Sequence, residues 1–317
     1  MILLVDAGNT RIKWAFLEHG ELRPGGAWPT RDVAGLCAAW AGAGQSLGAH
    51  SGKALPTPAL PASGEGGETP GASLCRTHPS PASGGGREGE KPAPPRPDDS
   101  APGRPPLPGP LSGGLALGAC VAGEAVRAAL AACLGELGLC VHWVAPQKSA
   151  HGLVNRYQPP ESLGVDRYCA LIGAARRIRR DCVVVCVGTA MTADVLTAEG
   201  EFLGGCIVPG PELMRAALAS GTAGVGVAAG DWQEFPRGTG AAVATGVALA
   251  LAGVVQGMAA RLAEFRGPDP ALDRPVVVLT GGGRSWLAGR LQPAVIETDE
   301  LVLEGLAWIA RDLACAA

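Results

Sequence analysis

The chain opens on a continuous apolar run, Ile2 to Val5, which stops at the polar, glycine-bearing stretch Asp6-Ala7-Gly8-Asn9-Thr10. A second apolar stretch, Ile12 to Leu17, ends at His19-Gly20. Short apolar runs bounded by Gly, Asp and Asn read as strands joined by tight turns. The same plan recurs downstream as Val183 to Val185, a turn at Cys186-Val187-Gly188-Thr189-Ala190, then Met191 to Leu196 and a second turn at Glu199-Gly200. At a constant offset of 180 residues Val5 matches Val185, Gly8 matches Gly188, Gly20 matches Gly200 and Glu21 matches Glu201. The pattern predicts a duplicated domain, each copy opening with an antiparallel meander and continuing into helices.

Helical periodicity and end signals predict helices over Ala34 to Ala41, Gly123 to Leu137, Pro159 to Arg180, Pro209 to Ala219, Thr239 to Phe265 and Glu300 to Leu313. Pro159 and Pro209 stand where a helix start tolerates a missing N–H. Strands fit between them at Leu115 to Val121, Cys140 to Val144 and Val276 to Thr280. Three strands followed by alternating helix and strand, twice over, predict two α/β domains facing a cleft.

Composition changes that picture in one place. Gly and Pro together make 75 of 317 residues, and 26 of the 75 fall between Ser51 and Ser112, where no apolar period of 2.0 or 3.6 is found. That stretch is expected to be a disordered insertion, and its six basic and six acidic side chains cancel, so it is neither a nucleic-acid arm nor an acidic tail. Loop-closure entropy rises slowly with length, so the fold is expected to bear it.

Charge and cysteine exclude several classes. A net charge of -3 gives no broad field for a polyanion, and an aromatic share of 4%, with two Tyr and four Phe beside seven Trp, leaves few rings for base stacking. Arg176, Arg177, Arg179 and Arg180 read as a solvated last helical turn. The run Met1 to Val5 has no basic leader or cleavage site, so the ten cysteines are expected to be free thiols of a cytoplasmic protein. Cys182 and Cys186 lack zinc spacing and read as small buried hydrophobes. Thr239 to Ala260 holds no charge over 22 residues but is rich in Ala and Gly, without aromatic anchors; it reads as a buried helix, not a membrane span. Its Gly246, Gly253 and Gly257 would allow close helix contact, within the domain or across a dimer.

The turns suggest chemistry. Backbone N–H groups approach a phosphate closely only where no Cβ intervenes, and Asp6-Ala7-Gly8-Asn9-Thr10 with Lys13 offers amides, a hydroxyl, a point charge and a carboxylate for a metal or its water. An ordinary hairpin is the competing reading of that turn taken alone. A second turn at Gly188-Thr189-Ala190 and a third glycine cluster, Gly281-Gly282-Gly283, favour a nucleotide site. No GxxxxGK[ST] or strand-to-helix GxGxxG is present, so the Walker and Rossmann solutions lack their defining feature.

Asp6 to Thr10 with Lys13, Gly164-Val165-Asp166-Arg167, Gly188-Thr189-Ala190 with Thr192 and Asp194, and Gly204-Gly205 with Pro209-Gly210 together resemble type III pantothenate kinase, in the family's order and over essentially the whole chain outside the insertion. The resemblance implies duplicated ribonuclease-H-like domains of the actin, heat-shock chaperone and sugar kinase superfamily. They would occupy 1–180 and 181–317, with the insertion at about 51–112 in the first. It implies ATP-dependent phosphorylation of pantothenate at its primary hydroxyl, the first step toward coenzyme A, by a homodimer using Mg²⁺ or another divalent cation.

By the same resemblance Asp166 is the general base. Tyr157, Gly164, Val165, Asp166, Arg167 and Thr239 contact pantothenate. Asp6, Ala7, Gly8, Asn9, Thr10, Arg11, Ile12, Lys13 and Thr189 bind ATP, with Asp6 also toward Mg²⁺ through water. Without it, Asp166 would read as a surface ion-pair partner, Tyr157 as packing and Thr239 as a helix cap. One position departs from the pattern: Cys186 stands where the family commonly has the Asp linked to a monovalent cation, which makes that cation's role here doubtful. Two other functions stay open at this point, a kinase of another small hydroxyl acceptor on the same scaffold and a non-catalytic regulatory accessory protein.

Overall fold

The structure, a computed structural model, describes residues 1–47, 114–225, 230–267 and 274–316. The expected insertion at 51–112 lies outside the described residues. Strands β1 (Ile2–Ala7), β2 (Arg11–Glu18) and β3 (Glu21–Pro29) form an antiparallel meander. On the other side of β1, β4 (Leu115–Cys120) pairs parallel to it and β5 (Cys140–Trp143) parallel to β4, which gives the order β3-β2-β1-β4-β5.

The second half repeats that order and those directions with β8 (Cys182–Val187), β9 (Ala190–Leu196), β10 (Glu201–Pro209), β11 (Val276–Thr280) and β12 (Val295–Glu297), arranged β10-β9-β8-β11-β12. β1 and β8, and β3 and β10, sit at the 180-residue offset read from the sequence. Two short strands, β6 (Ser149–Ala150) and β7 (Leu153–Asn155), precede residue 180 and yet extend the second sheet beyond β10.

Alternating side chains of the first strands divide between two cores. Leu3, Val5 and Ala7 face a cluster completed by α1 (Val33–Leu47) and α2 (Glu124–Glu136), through Leu36, Trp40, Leu130 and Leu134. Leu4 faces the opposite way, into a cluster that also holds Cys182 and Val184 of β8 and the buried faces of α3 (Val165–Ile178) and α6 (Leu301–Ala316). These two helices therefore lie between the sheets, so the C-terminal helix packs on β1, β2 and β4 of the first sheet. Outside the second sheet lie α4 (Pro211–Gly221) and α5 (Thr239–Arg266), the latter burying Val247, Leu251, Val255 and Ala259 against Val183, Val185 and Val187.

Several expectations need correction. The single helix expected over Pro159 to Arg180 is a short 3-10 turn, Pro160–Ser162, followed by extended Leu163 and Gly164 before α3 begins. Pro209 ends β10, and Pro211 holds the early-helix position assigned to it. Arg176 and Arg177 do not simply meet solvent: their guanidinium groups pair with Asp312 at 3.0 Å and Glu304 at 2.8 Å, clamping α3 to α6. By length and composition α5 is long and apolar enough to cross a membrane, but one side packs on the second sheet. Among the described residues Gly246, Gly253 and Gly257 approach no other element: apart from α5's own backbone, no atom lies within 4 Å of where their Cβ would sit.

The close helix approach occurs instead between α3 and α6. A Cβ on Gly305 would run into the carbonyl oxygen of Cys169. Gly→Ala inside a helix ordinarily stabilises by about 1 kcal/mol. Here the overlap reverses the sign, and Gly305→Ala is expected to cost a net ~1–3 kcal/mol in denaturant unfolding. A stabilised variant would contradict the contact.

Candidate active site

The two glycine turns face each other at the strand ends. The Gly8 N–H closes the first on the Arg11 carbonyl at 3.0 Å, and the Gly188 N–H closes the second on Ala190 at 2.9 Å. Thr10 and Thr189, both exposed, share a hydroxyl–hydroxyl hydrogen bond of 2.6 Å that joins the halves across the cleft. Thr30 braces the first turn by donating its hydroxyl to the Gly8 carbonyl at 2.7 Å. Side chains of Ala7 and Ile12 are fully buried in the core, so only their backbone can meet a ligand; Asn9 and Arg11 are exposed.

Glycine is required where the turns stack. A Cβ on Gly210 would strike the Gly188 carbonyl oxygen, and one on Gly281, at φ +96°, would strike Val187. Gly283 donates its N–H to the Val187 carbonyl at 2.9 Å, so the third glycine cluster is fastened to the end of β8 beside the second turn. The Lys13 ammonium donates to the Asp299 carbonyl at 3.2 Å and lies 3.7 Å from the Glu300 carboxylate, which ties β2 to the start of α6.

Asp6, Asp166 and Cys186 lie within electrostatic reach of one another behind the turns. Among the described residues no hydrogen bond or ion pair reaches the Asp6 carboxyl. It is pushed up to about 7 by burial first, then by the charges of Asp166 and Glu300, with Lys13 opposing. Asp166 stands in the first turn of α3, where helix N–H groups favour an anion. Its Oδ1 accepts the Arg167 N–H at 2.8 Å, and a Cβ on Gly164 would crowd that same oxygen at 2.8 Å. Cys186 feels Asp166 and Asp6 as well; burial and then those charges push its thiol up to about 12.

A second group flanks Asp166. The Arg167 guanidinium is buried, pairs with Asp194 and lies over the rings of Tyr157 and Phe202, with centroids at 5.4 and 5.9 Å. Tyr157 is placed by Asn155, whose Oδ1 accepts the Tyr157 N–H at 3.0 Å and whose Nδ2 donates to Pro160 at 2.9 Å. Val165 packs at the edge of the core beside Asp166. Thr239 lies exposed at the first residue of α5 and makes no side-chain hydrogen bond among the described residues; the cap position is Gly238.

Sequence reasoning left Asn155 and Phe202 out of the site and named Asp194 without a role. Asp194 had a signal: it is a charged residue within the apolar strand Met191 to Leu196.

The residues suit ATP with a divalent cation. Such an ion keeps most of its water and needs one or two carboxylates beside substrate phosphates. Asp6 offers an unpaired carboxylate, and no group of three metal-binding side chains is present among the described residues. They do not suit a hard monovalent cation at Cys186, because a neutral thiol is a poor partner for an ion that prefers oxygen.

Comparison by sequence points to one family. A sequence model of the type III pantothenate kinase family matches residues 111–261. A type III pantothenate kinase of Aromatoleum aromaticum is 34% identical over 316 residues, covering 100% of both chains. That of Thiobacillus denitrificans is 42% identical over 193 residues, 61% of this chain and 77% of the relative. Among solved structures, a Campylobacter jejuni protein described as a Baf family transcriptional activator superposes with a TM-score of 0.50 at 16% identity. The superposition covers 99% of each chain and speaks to the fold alone.

Proposed function

The chain belongs to the type III pantothenate kinase family, and from that premise we propose how its cleft phosphorylates pantothenate with ATP. The observation behind the reading is that the Thr10 and Thr189 turns are bridged while Asp6, beside the first of them, feels the charge of Asp166. Amides of Gly8, Asn9 and Thr10, the Thr10 and Thr189 hydroxyls and Lys13 hold the phosphates. Lys13 exchanges its contacts with Asp299 and Glu300 for phosphate oxygens. Asp6 would hold the divalent cation through water, and that ion supplies charge neutralisation on the phosphates.

Asp166 takes the proton of the pantothenate primary hydroxyl as that oxygen bonds to the γ-phosphorus, and the bond from the γ-phosphorus to the bridging oxygen breaks to release ADP. Phosphoryl transfer asks mainly for such positioning and charge stabilisation. Gly164 keeps the approach to Asp166 open, while Tyr157, Arg167 and Thr239 hold the acceptor. ADP release measured with pantothenate, sugars and small hydroxy acids tests the acceptor. Turnover with pantothenate alone supports the reading, and preference for another alcohol overturns it.

Two finer points belong to the same reading. Cys186 makes the reaction independent of potassium or ammonium, so potassium should change turnover by less than about twofold, and activation beyond about tenfold would contradict the assignment. The exposed small-residue side of α5, with Gly246, Leu249, Gly253 and Gly257, is the surface of a cytoplasmic homodimer. Sedimentation should therefore give twice the chain mass of 31.9 kDa; a monomer at assay concentration would remove that surface from the account.

A further inference from the structure

Arg167 is committed on three sides. Its Nε lies 3.2 and 3.1 Å from the two Asp194 oxygens, its Nη2 donates to Asp194 Oδ1, and its plane is flanked by Tyr157 and Phe202, whose rings stack at 5.9 Å and 24°. Among the described residues the Nη1 edge meets no carboxylate and lies 3.5 Å from the Tyr157 hydroxyl. The pair is buried, with Arg167 6% and Asp194 2% exposed. A buried guanidinium without its partner is costly, and a planar fork held by one carboxylate has a fixed orientation.

The fold makes room for this pair at Gly205 on β10, opposite Asp194 in the β9–β10 ladder. A Cβ there would overlap Asp194 Oδ1 and come within 3.0 Å of Arg167 Nη2.

We propose that Asp194, seated by Gly205, is a positioning residue for acceptor recognition: it turns the Nη1 edge of Arg167 toward the Tyr157 hydroxyl, where the acceptor's carboxylate binds. Resting on the pantothenate reading above, this makes Asp194 act through Arg167 and never on the hydroxyl that reacts. Its effect is thus on the anionic end of the acceptor. The uncharged analogue panthenol, which has the same hydroxyl and no carboxylate, reports on the reaction without that end.

The test compares kcat/KM for pantothenate and panthenol in the wild type, Asp194→Asn and Gly205→Ala, with the fold checked by thermal melting. Gly205→Ala keeps both charges and displaces them, so it serves where Asp194→Asn fails to fold. In a folded variant the pantothenate-to-panthenol ratio should fall by at least about tenfold, through KM for pantothenate, with KM for ATP within about twofold. In an Arg167→Met background Asp194→Asn should change the ratio no further, because the two residues act as one unit. An unchanged ratio in a folded variant, or equal loss on both acceptors, overturns the assignment. A wild type that phosphorylates neither compound would instead overturn the reading it rests on.

Discussion

Asp166→Asn lowers turnover of pantothenate by at least about 100-fold, the lower end of what a general base contributes. The amide keeps the size of the side chain and can still accept the Arg167 N–H at Oδ1, so the start of α3 keeps its local geometry. What it loses is the capacity to accept the proton of the attacking hydroxyl. KM for ATP should change little, since the proposed work of Asp166 is on the acceptor hydroxyl. A second signature follows from charge: Asp166 is the leading charge that raises Asp6, so in the variant Asp6 titrates lower than about 7. Turnover within a few fold of wild type would reject the base assignment.

Asp6→Asn is expected to lose activity by a similar factor and yet to fold more firmly at alkaline pH. The folded chain holds the Asp6 proton to about pH 7, whereas the unfolded chain releases it near the ordinary carboxyl value of 3.8. Between those values the native state binds more protons, so raising the pH through the window destabilises it, and above it the penalty is complete. Partial exposure screens that penalty, and ~1–2 kcal/mol is expected to remain. Asp6→Asn should therefore melt several degrees above wild type at pH 8, with the two curves meeting near pH 4. Stabilisation by ATP with Mg²⁺ should be weaker in the variant. A variant that melts lower than wild type at pH 8 would contradict the environment described for this carboxyl.

The duplication was legible because each half repeats both its apolar runs and its turn residues, and strand order follows from a meander plus parallel additions. Helix ends were less so. Both Pro159 and Pro211 have a proline's backbone constraint, but only tertiary context decides which one starts a helix; Gly164 in extended conformation separates the 3-10 turn from α3. The glycines of α5 face outward and meet no other helix among the described residues, whereas Gly305 gave no signal, because only a contact from a distant helix requires it.

The site divided in the same way. Asp6, Gly8, Thr10 and Asp166 could be read from local motifs and family resemblance. Phe202 and Asn155 could not, because their parts arise from β7, β10 and α3 meeting in space. Asp194 was visible as a charge in an apolar strand, but its partner lies 27 residues away in sequence.

The most direct test of the account is to incubate the chain with ATP, Mg²⁺ and pantothenate and to identify the product by mass. The wild type is expected to form 4'-phosphopantothenate in step with ADP, and Asp166→Asn almost none. ADP formed without phosphorylated pantothenate, or product formed equally by both proteins, would contradict it.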